Sequence, residues 1–474
     1  TVQEGLRRLV EGEHVAQDHL AGIEIAYLPD LYEAETYVAR RIGSMAADRL
    51  PEPPNLELLV SQVQKAGAVA YSPQQAEAVR AAAVSRLLIV TGGPGTGKTT
   101  ILRGILDLFS RMELRALLAA PTGRAAKRLQ EVTGQEASTI HRLLEYTGGD
   151  NAPRFQRDQD HPLDYDAVIV DETSMVDVFL LMRLLRAIRP ESRLILIGDA
   201  DQLPSVGAGN VLGDILRSGV IASVRLNEIF RQSESSLIVR NAHAINHGEM
   251  PVLNQKNSNF FFERHAYPED SARAVVELCR RRLPAYMKCA DPLHAIQVLS
   301  PTKKGACGVI ALNAMLQAAL NPPCPEKPEI QYGERIFRQG DKVMHIKNNY
   351  QLEWMGEDDS DGTGVFNGDM GVVLTVDTEE KTLVVFFDDG RTAEYEYAML
   401  EELELAYCLS VHKSQGSEFA CVVMPCVGGP PMLLTRNLFY TALTRAKELV
   451  VLVGREDAIS AMVNNNHIAR RYTA

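Results

Sequence analysis

The sequence predicts an α/β protein with two parallel-sheet cores and a small all-β insertion in the second core. Apolar, β-rich runs alternate with helical patterns in two parts of the chain, as in parallel sheets that are covered on both faces. Short runs joined by Asn-Gly and Asp-Gly turn signals interrupt the second part, and such signals are typical of antiparallel hairpins. The length of 474 residues suits roughly three domains.

The chain is expected to open with a helical segment over residues 1–69. Its helical pattern is clearest at 31–50, and the prolines within 51–54 then break it. Because the sequence begins with Thr rather than Met, we expect it to be a piece of a longer or processed protein.

The first core is expected to span residues 70–225. Each of its apolar runs ends in a loop, as the strands of a parallel sheet do before their helices. These runs lie at 86–93, 114–123, 166–172 and 193–199. A polar, turn-rich stretch at 145–166 interrupts the alternation and is expected to form a β-hairpin.

The second core is expected to comprise residues 226–334 and 404–474. Its apolar runs lie at 294–302, 406–412, 419–425 and 448–454. The all-β insertion is placed between the two parts, at residues 335–403.

Composition excludes several classes of protein. The 49 basic and 61 acidic residues give a net charge of −12, which argues against a surface coated with basic charge but leaves a local basic groove possible. No apolar run approaches the ~20 residues of a membrane span, and no secretory signal opens the sequence. Seven scattered cysteines indicate reduced thiols in a cytosolic protein.

The most specific motif is GGPGTGKTT at residues 92–100, which fits G-x-x-x-x-G-K-[ST]. It follows an apolar strand and precedes a helical pattern, where backbone N–H groups can surround phosphates. Lys98 is expected to reach the β- and γ-phosphates, and the Thr99 hydroxyl to bind Mg²⁺. The expected ATP-binding residues are Gly93, Pro94, Gly95, Thr96, Gly97, Lys98, Thr99 and Thr100.

Acidic and amide side chains follow two further strands. Asp171 is interpreted as a Mg²⁺ ligand and Glu172 as the general base that activates water. Gln202 lies after the next strand, where its amide can touch a γ-phosphate or the attacking water; a polar loop without ligand is the alternative.

Seven motifs in order resemble those of superfamily 1 helicases, and three of them, VDETSM, GDADQLPSVGAG and HKSQGSEF, resemble the RecD-type branch. The resemblance runs from about residue 70 to residue 454. The seven are GGPGTGKTT, APTGRAAKRL, VIVDETSMVD, GDADQLPSVGAG, LNEIFRQ, VHKSQGSEF and FYTALTRAKELVVLVG.

The resemblance implies two RecA-like cores with ATP and Mg²⁺ between them. It also implies that the insertion at 335–403 is a small β-barrel of the Src-homology type. It implies that Gln75 recognises adenine and that Arg231 and Arg445 reach the γ-phosphate from the second core. An arginine that crosses the cleft stabilises charge on the transferring phosphoryl group. Gly416 and Glu418 are implied to lie near the γ-phosphate and the ribose.

The resemblance also implies a path for a single strand across both cores. For Arg124 a solvated helix face, and for His141 a packed helix position, remain alternatives. The expected contacts are Pro121, Thr122, Gly123, Arg124, Thr139, His141, Thr302, Lys303, His412 and Lys413.

We therefore expect a monomeric, ATP-driven DNA helicase that binds single-stranded DNA and duplex junctions and no membrane. The branch implies 5′-to-3′ movement and a pin at residues 150–163 that separates the duplex. An RNA helicase of the same superfamily and an ATP-operated switch remain alternatives. Two complete cores with Arg231 and Arg445 favour a motor over a switch.

Overall fold

In the computed structural model, residues 2–20, 22–147, 154–228, 236–256 and 258–467 are described. Two sheets in this part of the chain are entirely parallel, and a third, larger sheet is antiparallel. This confirms the predicted α/β class with two cores and a β-rich insertion.

The N-terminal segment is helical, but the purely helical prediction for residues 1–69 is wrong in one part. Ala16–Leu20 pairs antiparallel with Ile23–Tyr27. The alternation of Ile23, Ile25 and Tyr27 with other residues has the two-residue period of a strand. The elements are α1 (Val2–Glu11), β1 (Ala16–Leu20), β2 (Ile23–Tyr27), α2 (Pro29–Ala47) and α3 (Leu56–Ala66).

The first core is a six-stranded parallel sheet in the order β10-β3-β9-β8-β4-β5. Its strands are β3 (Leu87–Gly92), β4 (Ala116–Ala120), β5 (Ala137–Thr139), β8 (Ala167–Val170), β9 (Arg193–Gly198) and β10 (Ala222–Leu226), and the short β6 (Tyr146–Thr147) and β7 (Arg154–Phe155) pair separately. The helices are α4 (Pro73–Val84), α5 (Lys98–Arg111), α6 (Gly123–Thr133), α7 (Ile140–Leu143), α8 (Val178–Ala187) and α9 (Val211–Ser218).

Helices cover both faces of this sheet. Side chains of α4 and α5 pack on one face, and α8 packs on the other together with α2. Within α2, buried Val38 and Ile42 belong to the same apolar cluster as Val168 of the sheet. The N-terminal segment is thus part of the covering layer of the first core.

The second core is a five-stranded parallel sheet in the order β11-β24-β23-β12-β22. Its strands are β11 (Phe260–Arg264), β12 (Ile296–Ser300), β22 (Cys408–Ser410), β23 (Phe419–Cys426) and β24 (Ala446–Gly454). The helices are α10 (Leu237–Asn246), α11 (Pro268–Glu277), α12 (Leu283–Met287), α13 (Pro292–Ala295), α14 (Val309–Leu320), α15 (Arg436–Leu443) and α16 (Glu456–Asn464), with a π-helical turn at Leu278–Arg282.

The insertion is a seven-stranded antiparallel sheet in the order β17-β16-β20-β19-β18-β15-β21. A separate hairpin of β13 (Glu329–Tyr332) and β14 (Arg335–Arg338) precedes it, so antiparallel pairing begins before the expected start at 335. Its strands are β15 (Lys342–His345), β16 (Asn349–Gly356), β17 (Asp361–Val365), β18 (Met370–Asp377), β19 (Thr382–Phe387), β20 (Arg391–Glu396) and β21 (Leu403–Leu405).

Among the helices of the described ranges, none has the length and apolar character needed to span a membrane.

Candidate nucleotide site and nucleic-acid interface

The glycine-rich turn between β3 and α5 has the shape of a phosphate-binding loop. Gly95 and Gly97 have φ values of 73° and 84°, a left-handed conformation that side chains disfavour. Helix α5 begins at Lys98, directly after this turn. The free N–H groups of a helix N-terminus attract anions, so the turn is suited to phosphate.

The side chains of this turn are occupied by contacts within the loop. The Lys98 ammonium donates to the carbonyls of Gly92 and Gly93 at 2.6 and 3.0 Å, and the Thr96 hydroxyl donates to Gly93 at 2.8 Å. Gln75 is buried and its amide donates to the Thr96 carbonyl at 3.2 Å. Gln75 therefore braces the loop, and recognition of adenine by this amide requires exchange of that bond.

The predicted metal ligand and base stand side by side at the end of β8. Burial, and then the charge of Glu172, raise the pKa of Asp171 to about 6, although its carboxylate accepts the Glu172 N–H at 2.9 Å. Asp171 and Thr99 supply the carboxylate and hydroxyl oxygens that Mg²⁺ prefers, so they fit this ion. No group of three His, Cys, Asp or Glu side chains that could hold a metal ion occurs among the described residues.

Replacement of Asp171 by Asn is expected to change how stability depends on pH. Between about pH 4 and pH 6 the folded protein holds a proton that the unfolded chain has released, so this carboxyl lowers the free energy of unfolding as the pH rises. The variant should gain on the order of 2 kcal/mol relative to the parent between about pH 4.5 and pH 7, measured by urea unfolding without nucleotide. The exposed Asp160→Asn serves as control, and identical pH dependence in Asp171→Asn and the parent would contradict the expectation.

Arg445 crosses from the second core to the first. It lies between α15 and β24, is only 2% exposed, and places Nη1 3.8 Å from the Glu172 carboxylate. The same Nη1 donates to the Ser417 carbonyl at 3.2 Å, whereas Nε is buried and has no partner among the described residues. Glu172, with φ of 51°, is held in a left-handed conformation next to this guanidinium. The structure thus unites the predicted base and the predicted arginine.

Gln202 lies in the loop that follows β9 of the first core, next to Leu203, whose N–H contacts Thr441 of the second core. Its side chain is buried, its amide Nε2 lies 3.3 Å from Asp199 Oδ2, and its Oε1 has no partner among the described residues. Burial raises the pKa of Asp199. Sequence reasoning did not assign Asp199 to the site, although its position immediately after β9 was the available signal.

Gly416 and Glu418 meet helix α6 of the first core. A Cβ atom on Gly416 would lie 2.7 Å from the Thr122 hydroxyl, and the φ of Gly416 is 72°, so close approach and backbone both favour glycine. Glu418 forms an ion pair with Arg128, whose Nη2 lies 2.7 Å from Oε1 of Glu418. Nη1 of Arg128 also lies 3.8 Å from the Glu172 carboxylate. Arg128 therefore lies on the nucleotide side of α6.

A groove of 760 Å³ runs between the two cores and is lined by nearly all of the residues that are predicted to contact single-stranded nucleic acid. We call it the inter-core groove. From the first core it is lined by Pro121, Thr122, Gly123, Arg124, Thr139 and His141, and from the second by Lys303, His412 and Lys413. Thr302 does not line it; its hydroxyl donates to the Lys304 carbonyl at 3.2 Å.

Several predicted contacts in this groove have protein partners. The Lys413 ammonium pairs with the Glu404 carboxylate at 2.6 Å. Arg124 forms an ion pair with Asp388 of the insertion and donates to the Ser417 hydroxyl at 3.1 Å. Thus the solvated-face alternative for Arg124 is wrong. His141 packs edge-on against Tyr146 with ring centroids 5.8 Å apart, and burial lowers its pKa. His141 is therefore both a packed residue and part of the groove wall.

The insertion completes one wall of the groove, which sequence reasoning missed. Asn348, Phe366 and Asn367 line it, and the Tyr350 ring packs on the Tyr146 ring with centroids 4.6 Å apart. Loops of an antiparallel insertion carry no pattern that tells which core they face, so no signal was available.

Two predictions fall, wholly or in part, outside the described residues. They are Arg231 and the part of the predicted pin at 150–153. Within the described part of the pin, β7 pairs antiparallel with β6, Phe155 opposite Tyr146.

Fold and site together define a class: P-loop proteins in which the nucleotide site lies between two α/β cores. Three family models match this chain. They describe an AAA domain at residues 75–208, an ATP-dependent RecD-like DNA helicase SH3 domain at 312–387 and a UvrD-like helicase C-terminal domain at 405–453.

The chain belongs to the RecD family of helicases. The RecBCD enzyme subunit RecD of Mycolicibacterium smegmatis is 33% identical over 83% of this chain and 73% of its own length. The ATP-dependent RecD2 DNA helicase of Deinococcus radiodurans is 36% identical over 91% of this chain, which spans 55% of that relative. Among solved structures, the Pif1 helicase from Candida albicans has a TM-score of 0.49 and 20% identity, covering 84% of this chain and 97% of that one.

Proposed function

We propose that this chain is the motor of an ATP-dependent DNA helicase that moves 5′-to-3′ on single-stranded DNA and separates duplexes. The observation that carries the proposal is that both cores contribute residues to two sites, the cleft and the inter-core groove. Arg445 of the second core meets Glu172 of the first in the cleft, and the inter-core groove draws its walls from both cores. The Deinococcus relative, named an ATP-dependent DNA helicase, supports it.

The residues of the cleft divide the work of ATP hydrolysis. Lys98 leaves the carbonyls of Gly92 and Gly93 to hold the phosphates, and Glu172 accepts a proton from the attacking water. Arg445 stabilises the charge that develops on the γ-phosphoryl group. Asp171 and Thr99 would hold Mg²⁺, and the bound ion would supply neutralisation of phosphate charge.

Closure of the cleft is proposed to move the strand. Gly416 leaves no room for a side chain beside Thr122, since a Cβ atom on it would lie 2.7 Å from the Thr122 hydroxyl. The same hydroxyl caps α6 by accepting the Ala125 N–H at 3.3 Å. Closure of the cleft around Gly416 therefore moves Thr122, which lines the inter-core groove. Two contacts to one strand whose spacing varies with ATP produce directed movement.

Replacement of Lys303 by alanine is expected to weaken binding of single-stranded DNA because Lys303 lines the inter-core groove. In a plot of the logarithm of affinity against the logarithm of salt concentration, the slope should become shallower by about 0.7. This is the contribution of one phosphate contact on a single strand. Fluorescence anisotropy of a labelled oligonucleotide measures both quantities. The adjacent Lys304→Ala, which does not line the groove, is the control; equal effects of the two would contradict the assignment.

Strand displacement tests the whole proposal. A duplex with a 5′ single-stranded tail is compared with one carrying a 3′ tail, each with ATP and Mg²⁺. Displacement of the 5′-tailed duplex alone is the expected result. Displacement from the 3′ tail would overturn the polarity, and displacement of neither would overturn helicase activity in this chain.

A further inference from the structure

A tyrosine of the second core is bonded to the acid that contacts Gln202. Tyr440 is 1% exposed, and its hydroxyl donates to Asp199 Oδ2 at 2.8 Å. Gln202 donates to the same carboxylate oxygen at 3.3 Å. The carboxylate therefore joins a side chain of the second core to the amide of the first.

The same tyrosine lies against the phosphate-binding loop. A Cβ atom added to Gly93 would lie 2.9 Å from the Tyr440 hydroxyl. His243 approaches the neighbouring position, with Nε2 3.4 Å from the Pro94 carbonyl. Because Lys98 is bonded to the Gly93 carbonyl, a phosphate that draws Lys98 away acts on the backbone beside Tyr440.

The loop after Gln202 is held to the second core as well. The Leu203 N–H donates to the Thr441 hydroxyl at 2.9 Å, and the Gln415 amide donates to the Leu203 carbonyl at 2.8 Å. These bonds fix the loop on both sides of its backbone. The backbone next to Gln202 is consequently held by the second core.

We propose that Tyr440 is a positioning residue for ATP hydrolysis: through Asp199 it holds the Gln202 amide toward the γ-phosphate and couples that amide to the second core. The inference rests on the proposed ATP turnover. Oε1 of Gln202, which is buried and without a partner among the described residues, is the atom left to meet the attacking water.

The test is a double-mutant comparison of ATP turnover. Tyr440→Phe removes one oxygen and is expected to lower kcat about tenfold, the scale of one hydrogen bond to a charged group, with KM for ATP changed less than about threefold. In a Gln202→Ala background the same change should lower kcat less than about twofold, because the positioned group is already absent. Equal losses in both backgrounds would overturn the proposal.

Two further variants keep the test decisive. If Tyr440→Phe does not fold, Asp199→Asn takes its place in the test. This variant removes the charge of the acceptor, and its loss of kcat should likewise be large only where Gln202 is present. Tyr407→Phe is the matched control, because Tyr407 is also buried and donates to Asp341 at 2.9 Å, away from the cleft; it should leave turnover unchanged. A comparable kcat loss in Tyr407→Phe would also overturn the proposal.

Failure of the proposed function gives a different pattern. Turnover is measured with and without single-stranded DNA, so a parent that ignores DNA refutes the motor while the two backgrounds still decide the role of Tyr440. If the parent shows no turnover, the affinity of each variant for ADP with aluminium fluoride is measured in place of turnover. A loss of this affinity in Tyr440→Phe that occurs only where Gln202 is retained, and not in the Gln202→Ala background, supports positioning. Equal losses in both backgrounds overturn it.

Discussion

Replacement of Arg445 by alanine is expected to lower ATP turnover by roughly 10³-fold or more, the range found for arginines that act on a transferring phosphoryl group. Nucleotide binding should remain measurable, since Lys98 and the glycine-rich turn belong to the other core. The reason is the position of Arg445, buried in the cleft and 3.8 Å from Glu172. Steady-state turnover with saturating DNA, together with binding of a fluorescent nucleotide, measures the two effects separately.

Arg455→Ala is the control for loss of an arginine. Arg455 is exposed on the same core, where it forms an ion pair with Asp457, and its removal should leave turnover unchanged. Arg445→Lys keeps the positive charge but not the planar group, so it should recover only part of the lost rate. Turnover in Arg445→Ala within about tenfold of the parent would contradict the proposed role.

Replacement of Lys98 by alanine is expected to reduce turnover by about 10²–10³-fold and to weaken nucleotide binding as well. Its ammonium lies at the mouth of the loop, bonded to carbonyls of Gly92 and Gly93 that a phosphate would displace. Here both kcat and nucleotide affinity fall, unlike the Arg445 variant. Isothermal titration with ATP analogues, beside a turnover assay, distinguishes the two patterns.

Lys65→Ala, at the exposed end of α3, controls for loss of a lysine and should bind nucleotide as the parent does. Unchanged affinity in Lys98→Ala would place the phosphates elsewhere and contradict the assignment of this loop.

The parallel cores were predictable because each buried strand is a continuous apolar run. Residues 87–92 show this directly, since all six are buried. The phosphate-binding loop was predictable for a similar reason, because its glycines, lysine and threonine are contiguous and their chemistry is local. Local pattern also contained the hairpin Ala16–Leu20 with Ile23–Tyr27, which the strong helical pattern that follows it obscured.

Contacts between distant parts of the chain were not predictable from residue pattern. Tyr440 and Asp199 are 241 residues apart, and neither the helix that contains Tyr440 nor the strand that precedes Asp199 indicates the bond. The ion pair of Arg124 with Asp388 is of the same kind, because it depends on how the insertion packs against α6. The meeting of Arg445 with Glu172 was anticipated only through the resemblance to helicases.

The most direct test of a DNA motor in this chain is ATP turnover measured with no nucleic acid, with single-stranded DNA and with single-stranded RNA of the same sequence. We predict that DNA raises turnover many-fold, because the inter-core groove couples strand binding to the cleft. A DNA helicase, as proposed, should respond less to RNA. Faster turnover with RNA would support an RNA helicase. Equal turnover under all three conditions would contradict the motor and favour an ATP-operated switch.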